Sequence, residues 1–185
     1  MRTRWLLIVL CAVCACSSDP DPRKTGFVVD KGSVKAHYDP KSGRLRKLEE
    51  DTNKNGRLDT WTYMDGTRVD RIEIDRDEDG KIDRWEHYTD GKLTSVGIST
   101  RGDGVEDQWA YQAAAGYLER VETDTDRDGR VDKWETYDPP PAPGRPSRLR
   151  SVAFDENHTG HPSLRLWYTA DGNLERAEHL TGAAK

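Results

Sequence analysis

The stretch that decides the fold is Asp75-Arg76-Asp77-Glu78-Asp79-Gly80-Lys81-Ile82-Asp83-Arg84-Trp85-Glu86-His87-Tyr88-Thr89-Asp90-Gly91-Lys92-Leu93-Thr94-Ser95-Val96-Gly97-Ile98. It opens with an acidic, glycine-containing loop, continues into an aromatic segment, turns at Asp90-Gly91 and returns through a short apolar run. The loop positions occupied by Asp75, Asp51, Ser99 and Asp124 recur at 24- or 25-residue spacing. Self-similarity at a fixed period marks a repeat architecture, in which each unit buries its face only against its neighbours.

Each loop leads into an aromatic segment, centred on Trp61, Trp85, Trp109 and Trp134. Asp65-Gly66, Asp90-Gly91 and Asp171-Gly172 mark turns. The arms are rich in Trp, Tyr, Ile, Val and Thr and too short for helices, so they predict strands. Asp-Gly between such arms predicts hairpins, because a type I′ turn needs positive φ. The pairs Leu45/Leu48, Val69/Ile72, Leu93/Val96 and Leu118/Val121 are three apart, which in a flat strand places the two residues on opposite faces. Either both faces are covered, or a bulge resets the alternation. The expected fold is all-β: tandem antiparallel hairpins of about 24 residues, as an elongated meander or solenoid, with the acidic loops between hairpins.

The loops carry the chemistry. Hard Ca²⁺ takes six to eight oxygens, and a twelve-residue loop supplies them from positions 1, 3, 5, 7 (a backbone carbonyl), 9 and 12. In the second loop these are Asp75, Asp77, Asp79, the Lys81 carbonyl, Asp83 and Glu86. In the fourth they are Asp124, Asp126, Asp128, the Arg130 carbonyl, Asp132 and Glu135. The first offers Asp51, Asn53, Asn55, the Arg57 carbonyl and Asp59, but has Thr62 at position 12, which predicts weaker binding. The third has Ser99, Arg101 and Asp103, with Glu106 where the others have an aliphatic residue. The fifth, from Asp155 to Gly160, is followed by Pro162 and lacks the closing acid. The competing reading is that the loops are acidic turns built from Asx chemistry.

These loops resemble those of EF-hands, dockerins and thrombospondin type 3 repeats. The resemblance implies calcium chemistry and carries no docking partner, because no helix-length segment or disulfide accompanies the loops. The hairpin half, as in Tyr168-Thr169-Ala170-Asp171-Gly172-Asn173-Leu174, resembles the YD-type and antitoxin-like repeats of bacterial surface and toxin-system proteins. That resemblance implies a run of hairpins and no active site.

At the N-terminus, Arg2 and Arg4 precede an apolar run from Trp5 to Val13, of signal-peptide length. Val13-Cys14-Ala15-Cys16 resembles the bacterial lipobox, which implies cleavage of residues 1–15 and lipid on Cys16. An ordinary secretory signal is the alternative. Ser17, in place of Asp, after the cysteine implies the outer membrane by the same family resemblance. Residues 16–31, with Asp19-Pro20-Asp21-Pro22, predict a polar tether, and 32–180 the repeat domain.

All three cysteines lie in this leader, so a lipidated chain has no disulfide to brace 34% hydrophobic against 34% charged residues. Without Arg2 and Arg4, 27 basic residues face 34 acidic ones, a net −7. That balance argues against nucleic acid and suits divalent cations. Pro139 to Pro146 interrupts one hairpin as an outward loop. The tryptophans predict a packed ladder or, alternatively, an aromatic stripe for sugars or protein. His158 and His161 lack a clear third ligand for a transition metal. No catalytic constellation stands out, and the expectation is a non-enzymatic envelope module with a protein or glycan partner.

Overall fold

The computed structural model describes residues 28–180. The leader, Cys16 and most of the predicted tether lie outside them. Thirteen strands follow in order: β1 (Val28–Asp30), β2 (Val34–Tyr38), β3 (Leu45–Glu50), β4 (Thr60–Asp65), β5 (Arg68–Ile74), β6 (Arg84–Thr89), β7 (Lys92–Ile98), β8 (Gln108–Gln112), β9 (Leu118–Thr123), β10 (Lys133–Asp138), β11 (Arg148–Phe154), β12 (Leu164–Tyr168) and β13 (Leu174–His179). They form one sheet in sequence order, all pairs antiparallel. Strands contact only their sequence neighbours, so the sheet is an open meander. One boundary differs from the sequence reading. Val28–Asp30, assigned to the tether, pairs with β2 as the edge strand.

The three-residue spacing is resolved by bulges. In β6/β7, His87 pairs with Ser95 and Tyr88 with Leu93, leaving Thr94 as the extra residue. The same shift occurs in the hairpins β2/β3, β4/β5, β8/β9, β10/β11 and β12/β13. Each bulge returns Leu93 and Val96, or their equivalents, to one face. The turns differ more than the Asp-Gly pairs suggest. Only Asp90 (φ 50°) and Gly91 (φ 72°) both have positive φ, as a type I′ turn requires. At the other two, Gly66 and Gly172 have positive φ while the aspartate before each does not.

Register sorts the side chains onto two faces. One carries a row through Leu48, Thr62, Ile72, Glu86, Val96, Ala110, Val121, Glu135 and Val152. Thr62, Val96, Val121 and Val152 are buried in this row, and Ala153 is buried on the opposite face. The core is thus a stripe across one layer. The opposite face carries Trp61, Trp85, Trp109 and Trp134 in one row. An intervening strand, bearing Glu73, Gly97 or Glu122, separates each indole from the next. Two strand spacings are about 10 Å, beyond the roughly 4.5–7 Å of stacked rings. The ring-on-ring ladder is therefore replaced by half-buried indoles alternating with acidic or small residues.

Meander topology sends alternate connections to opposite ends of the sheet. All five acidic loops, residues 51–59, 75–83, 99–107, 124–132 and 155–163, stack along one end. The hairpin turns and the proline-rich loop lie at the other.

Candidate metal centre

Each acidic loop is nine residues long and is stitched to the loop before it. The Asp75 N–H donates to the Asp59 carbonyl, Ser99 to Asp83, Asp124 to Asp107 and Asp155 to Asp132. The first and ninth residues thus extend the ladder, and seven residues bow outward between them. Glycine at position 6 permits the turn: Gly80 has φ 90° and Gly129 φ 88°, and each N–H donates to the first aspartate of its loop.

The second loop gathers its carboxylates. Oxygens of Asp75, Asp77 and Asp83 lie within 4.8 Å of one another. Asp83 Oδ2 accepts from the N–H groups of Arg76 at 2.7 Å and Asp77 at 3.3 Å. Asp77 Oδ1 accepts from Asp79 N–H, and Asp79 Oδ1 from Lys81 N–H. Asp75 is 3% exposed, and its Oδ2 accepts from Gly80 at 2.9 Å. Its Oδ1 is buried without any hydrogen-bond partner. A buried charged oxygen left unpaired is costly, and carboxylates this close repel by about 3–4 kcal/mol per pair at an effective dielectric of 20. A divalent cation removes both costs.

The fourth loop brings Asp124, Asp126 and Asp132 together in the same way. Its first aspartate is better satisfied, because Asp124 Oδ1 accepts from Arg127 N–H at 2.7 Å. Asp128 forms a second group with Asp126 and His158, whose Nδ1 is 2.9 Å from Asp126 Oδ2. In the first loop, Asp51 Oδ1 accepts from Asn55 N–H. Burial pushes the Asp59 carboxyl up, but hydrogen bonds from Thr60 and Thr52 outweigh it and hold the group below the ordinary carboxylate range. The amide nitrogens of Asn53 and Asn55 both donate to Glu78 at 2.5 Å, while Arg57 lies 3.8 Å from that carboxylate.

Glu86 and Glu135 stand apart from these groups. Glu86 sits on β6, accepting from Arg84 and from the Tyr88 hydroxyl at 2.8 Å. Glu135 sits on β10 between Lys133 and Tyr137. The reason is geometric. A helix after the loop would curl position 12 back toward the ligands, whereas a strand carries it about 10 Å down the sheet from position 9. The clusters therefore close at the ninth residue.

Position 4 was missed by ligand spacing. Lys54, Glu78, Arg127 and His158 occupy it, all with φ between 54° and 64°, and Gly102 does so in the third loop with φ 64°. Aligning the five loops isolates these residues, because few L side chains adopt that conformation.

No family model and no curated protein matches the chain. Among solved structures, it is similar to the accessory secretory protein 1, 2 and 3 structure from Streptococcus pneumoniae, with 14% identity and a TM-score of 0.43 over 53% of this chain and 18% of that one. It is also similar to S. aureus TarM in complex with fondaparinux, alpha-GlcNAc-glycerol and UDP, with 11% identity and a TM-score of 0.34 over 62% and 20%. A GtfA/B complex bound to UDP and GlcNAc gives 13% identity and a TM-score of 0.31 over 66% and 23%. The chain spans about a fifth of the length of these chains.

Proposed function

We propose that this protein is a non-enzymatic, calcium-braced repeat module, held at the cell envelope by lipid on Cys16. The observation that carries the calcium reading is the buried, unpartnered Asp75 Oδ1 beside Asp77 and Asp83. An all-oxygen donor set suits a hard cation; with the Asp79 carboxylate and the Lys81 carbonyl the loop offers five donor groups, which a bidentate carboxylate and water bring to the six to eight oxygens that Ca²⁺ takes. The fourth loop, with Asp124, Asp126, Asp128, the Arg130 carbonyl and Asp132, is the second site. The first loop binds more weakly, since it has fewer charged ligands and its amides face Glu78. Calcium stiffens the loop end of a single-layer sheet that has no disulfide and little buried core. Sites of this kind in extracellular modules work at ~10⁻⁴–10⁻³ M, which matches an exported protein.

Calcium titration by calorimetry tests this, with terbium luminescence sensitised by the tryptophans as a second readout. Binding in the parent and its loss at one site in Asp75→Asn support the reading. No heat and no sensitised emission sink it.

A second reading is that the Trp face receives a glycan or protein partner. It rests on the half-buried indoles of one face, with Arg71 stacked 3.6 Å over the Tyr63 ring and Arg120 3.7 Å over Tyr111. Binding on a glycan array that Trp85→Ala abolishes without changing the circular dichroism supports it. An array without binders counts against a glycan.

A further inference from the structure

The stacked loops lie about 10 Å apart, two strand spacings, which is within reach of a long side chain leaning from one to the next. The position-4 residues do this. Glu78 of the second loop accepts from Asn53 and Asn55 of the first. Arg127 of the fourth loop reaches the third, donating to Asp107 Oδ2 at 2.7 Å and Asp103 Oδ1 at 3.0 Å. His158 of the fifth loop meets Asp126 of the fourth. The match is complementary each time: a carboxylate to two amide donors, a guanidinium to two carboxylates, an imidazole to a carboxylate.

The third loop shows what the contact accomplishes. Asp107 is 2% exposed, the most completely buried large side chain among the described residues. A buried carboxylate demands a paired charge. Arg127 supplies it while itself only 22% exposed, with Thr100 donating to the same carboxylate. The second loop shows the converse. Its successor has Gly102 at position 4, so no side chain leans in from there, and the buried Asp75 oxygen, which no N–H of its own loop meets either, stays unpartnered. Lys81 pairs with Asp79 at 3.4 Å and donates from its ammonium to the Gly102 carbonyl at 3.2 Å.

We infer that two of these fourth residues set the occupant of the loop before their own: Arg127 is the third loop's built-in cation, and Gly102 leaves the second loop open for a metal ion. The second half rests on the calcium reading above; the first half does not. Gly102 is then a specificity-determining residue that touches no ligand. Its place is chemically permissive for a side chain, since Lys54, Glu78, Arg127 and His158 adopt the same backbone conformation.

The test is Gly102→Arg, with Gly102→Gln as the variant that bears the same backbone cost without the charge. Both are made in an Asp126→Asn background, so that calcium heat reports the second loop. Gly102→Arg is expected to weaken calcium binding at least tenfold and to raise the melting temperature in chelator by several degrees relative to Gly102→Gln. Arg127→Gln is expected to lower the melting temperature in chelator, with Arg127→Lys recovering part of the loss. If the parent binds calcium and Gly102→Arg binds it equally well, the inference is overturned and the calcium reading stands. If the parent binds none, the calcium reading fails, and the chelator melts decide for the built-in cation: no loss in Arg127→Gln and no gain in Gly102→Arg overturn it.

Discussion

Glu106 lays its carboxylate across the α-carbon of Gly97, where a β-carbon would collide with it. Gly97 stands in register between Trp85 and Trp109. Glu106 Oε2 accepts from the Trp109 indole at 2.7 Å, and Oε1 lies 3.5 Å from His87. This explains why the third loop has an acid at position 8 where the first, second and fourth have Leu58, Ile82 and Val131: it folds onto the face and fills a gap left by glycine. Gly97→Val should cost about 1–3 kcal/mol of stability, the usual penalty of overpacking. Urea denaturation measures it. Adding Glu106→Ala should return part of the loss, and additive losses would show that the two residues do not compete for space.

Closure at the ninth residue separates Asp83 from Glu86. Asp83→Asn should weaken calcium binding at the second loop by at least tenfold, because it removes a charge from the group with Asp75 and Asp77. Glu86→Gln should leave affinity within about threefold, a difference of under ~1 kcal/mol, since Glu86 is engaged by Arg84 and Tyr88. The same contrast holds for Asp132 and Glu135. Calorimetry decides, and a large loss in Glu86→Gln would mean that β6 rearranges to bring position 12 into the site.

Tyr88 gives the sheet an alkaline limit. Burial and the hydrogen bond to Glu86 push its hydroxyl up to about 12. The unfolded chain has an ordinary phenol near pH ~10. A group whose folded value is raised adds stability that is fully present below the unfolded value and lost as pH climbs through the folded one. Stability should therefore fall between about pH 10 and pH 12, and Tyr88→Phe should flatten that slope. Tyr137 is shifted upward for the same causes, burial and Glu135, and steepens the decline. Urea midpoints from pH 9 to 12 report it; parallel curves for the parent and Tyr88→Phe would refute the coupling.

The period, the strands and the loop positions were legible because each unit repeats the same local chemistry. Positive φ at position 6 needs glycine, and short arms of Trp, Tyr and Val prefer a pleated surface. The three-residue spacing of Leu93 and Val96 left two solutions, and only the pairing of His87 with Ser95 selects the bulge. The place of Glu86 was hidden for a different reason. Twelve-residue ligand spacing presumes a helix beyond the loop, and spacing alone does not say whether position 12 turns back or runs on. The partners of Arg127 were hidden as well, because Asp103 and Asp107 are 24 and 20 residues away. That separation becomes contact only once successive loops stack at one end of the sheet.

Calcium should shift the melting temperature by an amount that mass action sets. At the tight end of the range, a dissociation constant of ~10⁻⁴ M, 10 mM calcium is a hundredfold excess and one site adds about 2.7 kcal/mol to the folded state. For a domain of this size, each kcal/mol moves the midpoint by about 2–4 °C, so 10 mM calcium against chelator should raise it by roughly 5–10 °C per filled site. Magnesium at the same concentration should do much less, because it gives up water reluctantly and demands a tighter octahedron. Replacing residues 139–147 by a two-residue turn supplies the spatial control. That loop lies at the end of the sheet opposite residues 75–83 and 124–132, so the replacement should change the midpoint in chelator but leave the calcium-induced shift intact. A shift that vanishes with the proline-rich loop would place the bound ion at the wrong end of the molecule for Asp75 and Asp124 to be its ligands.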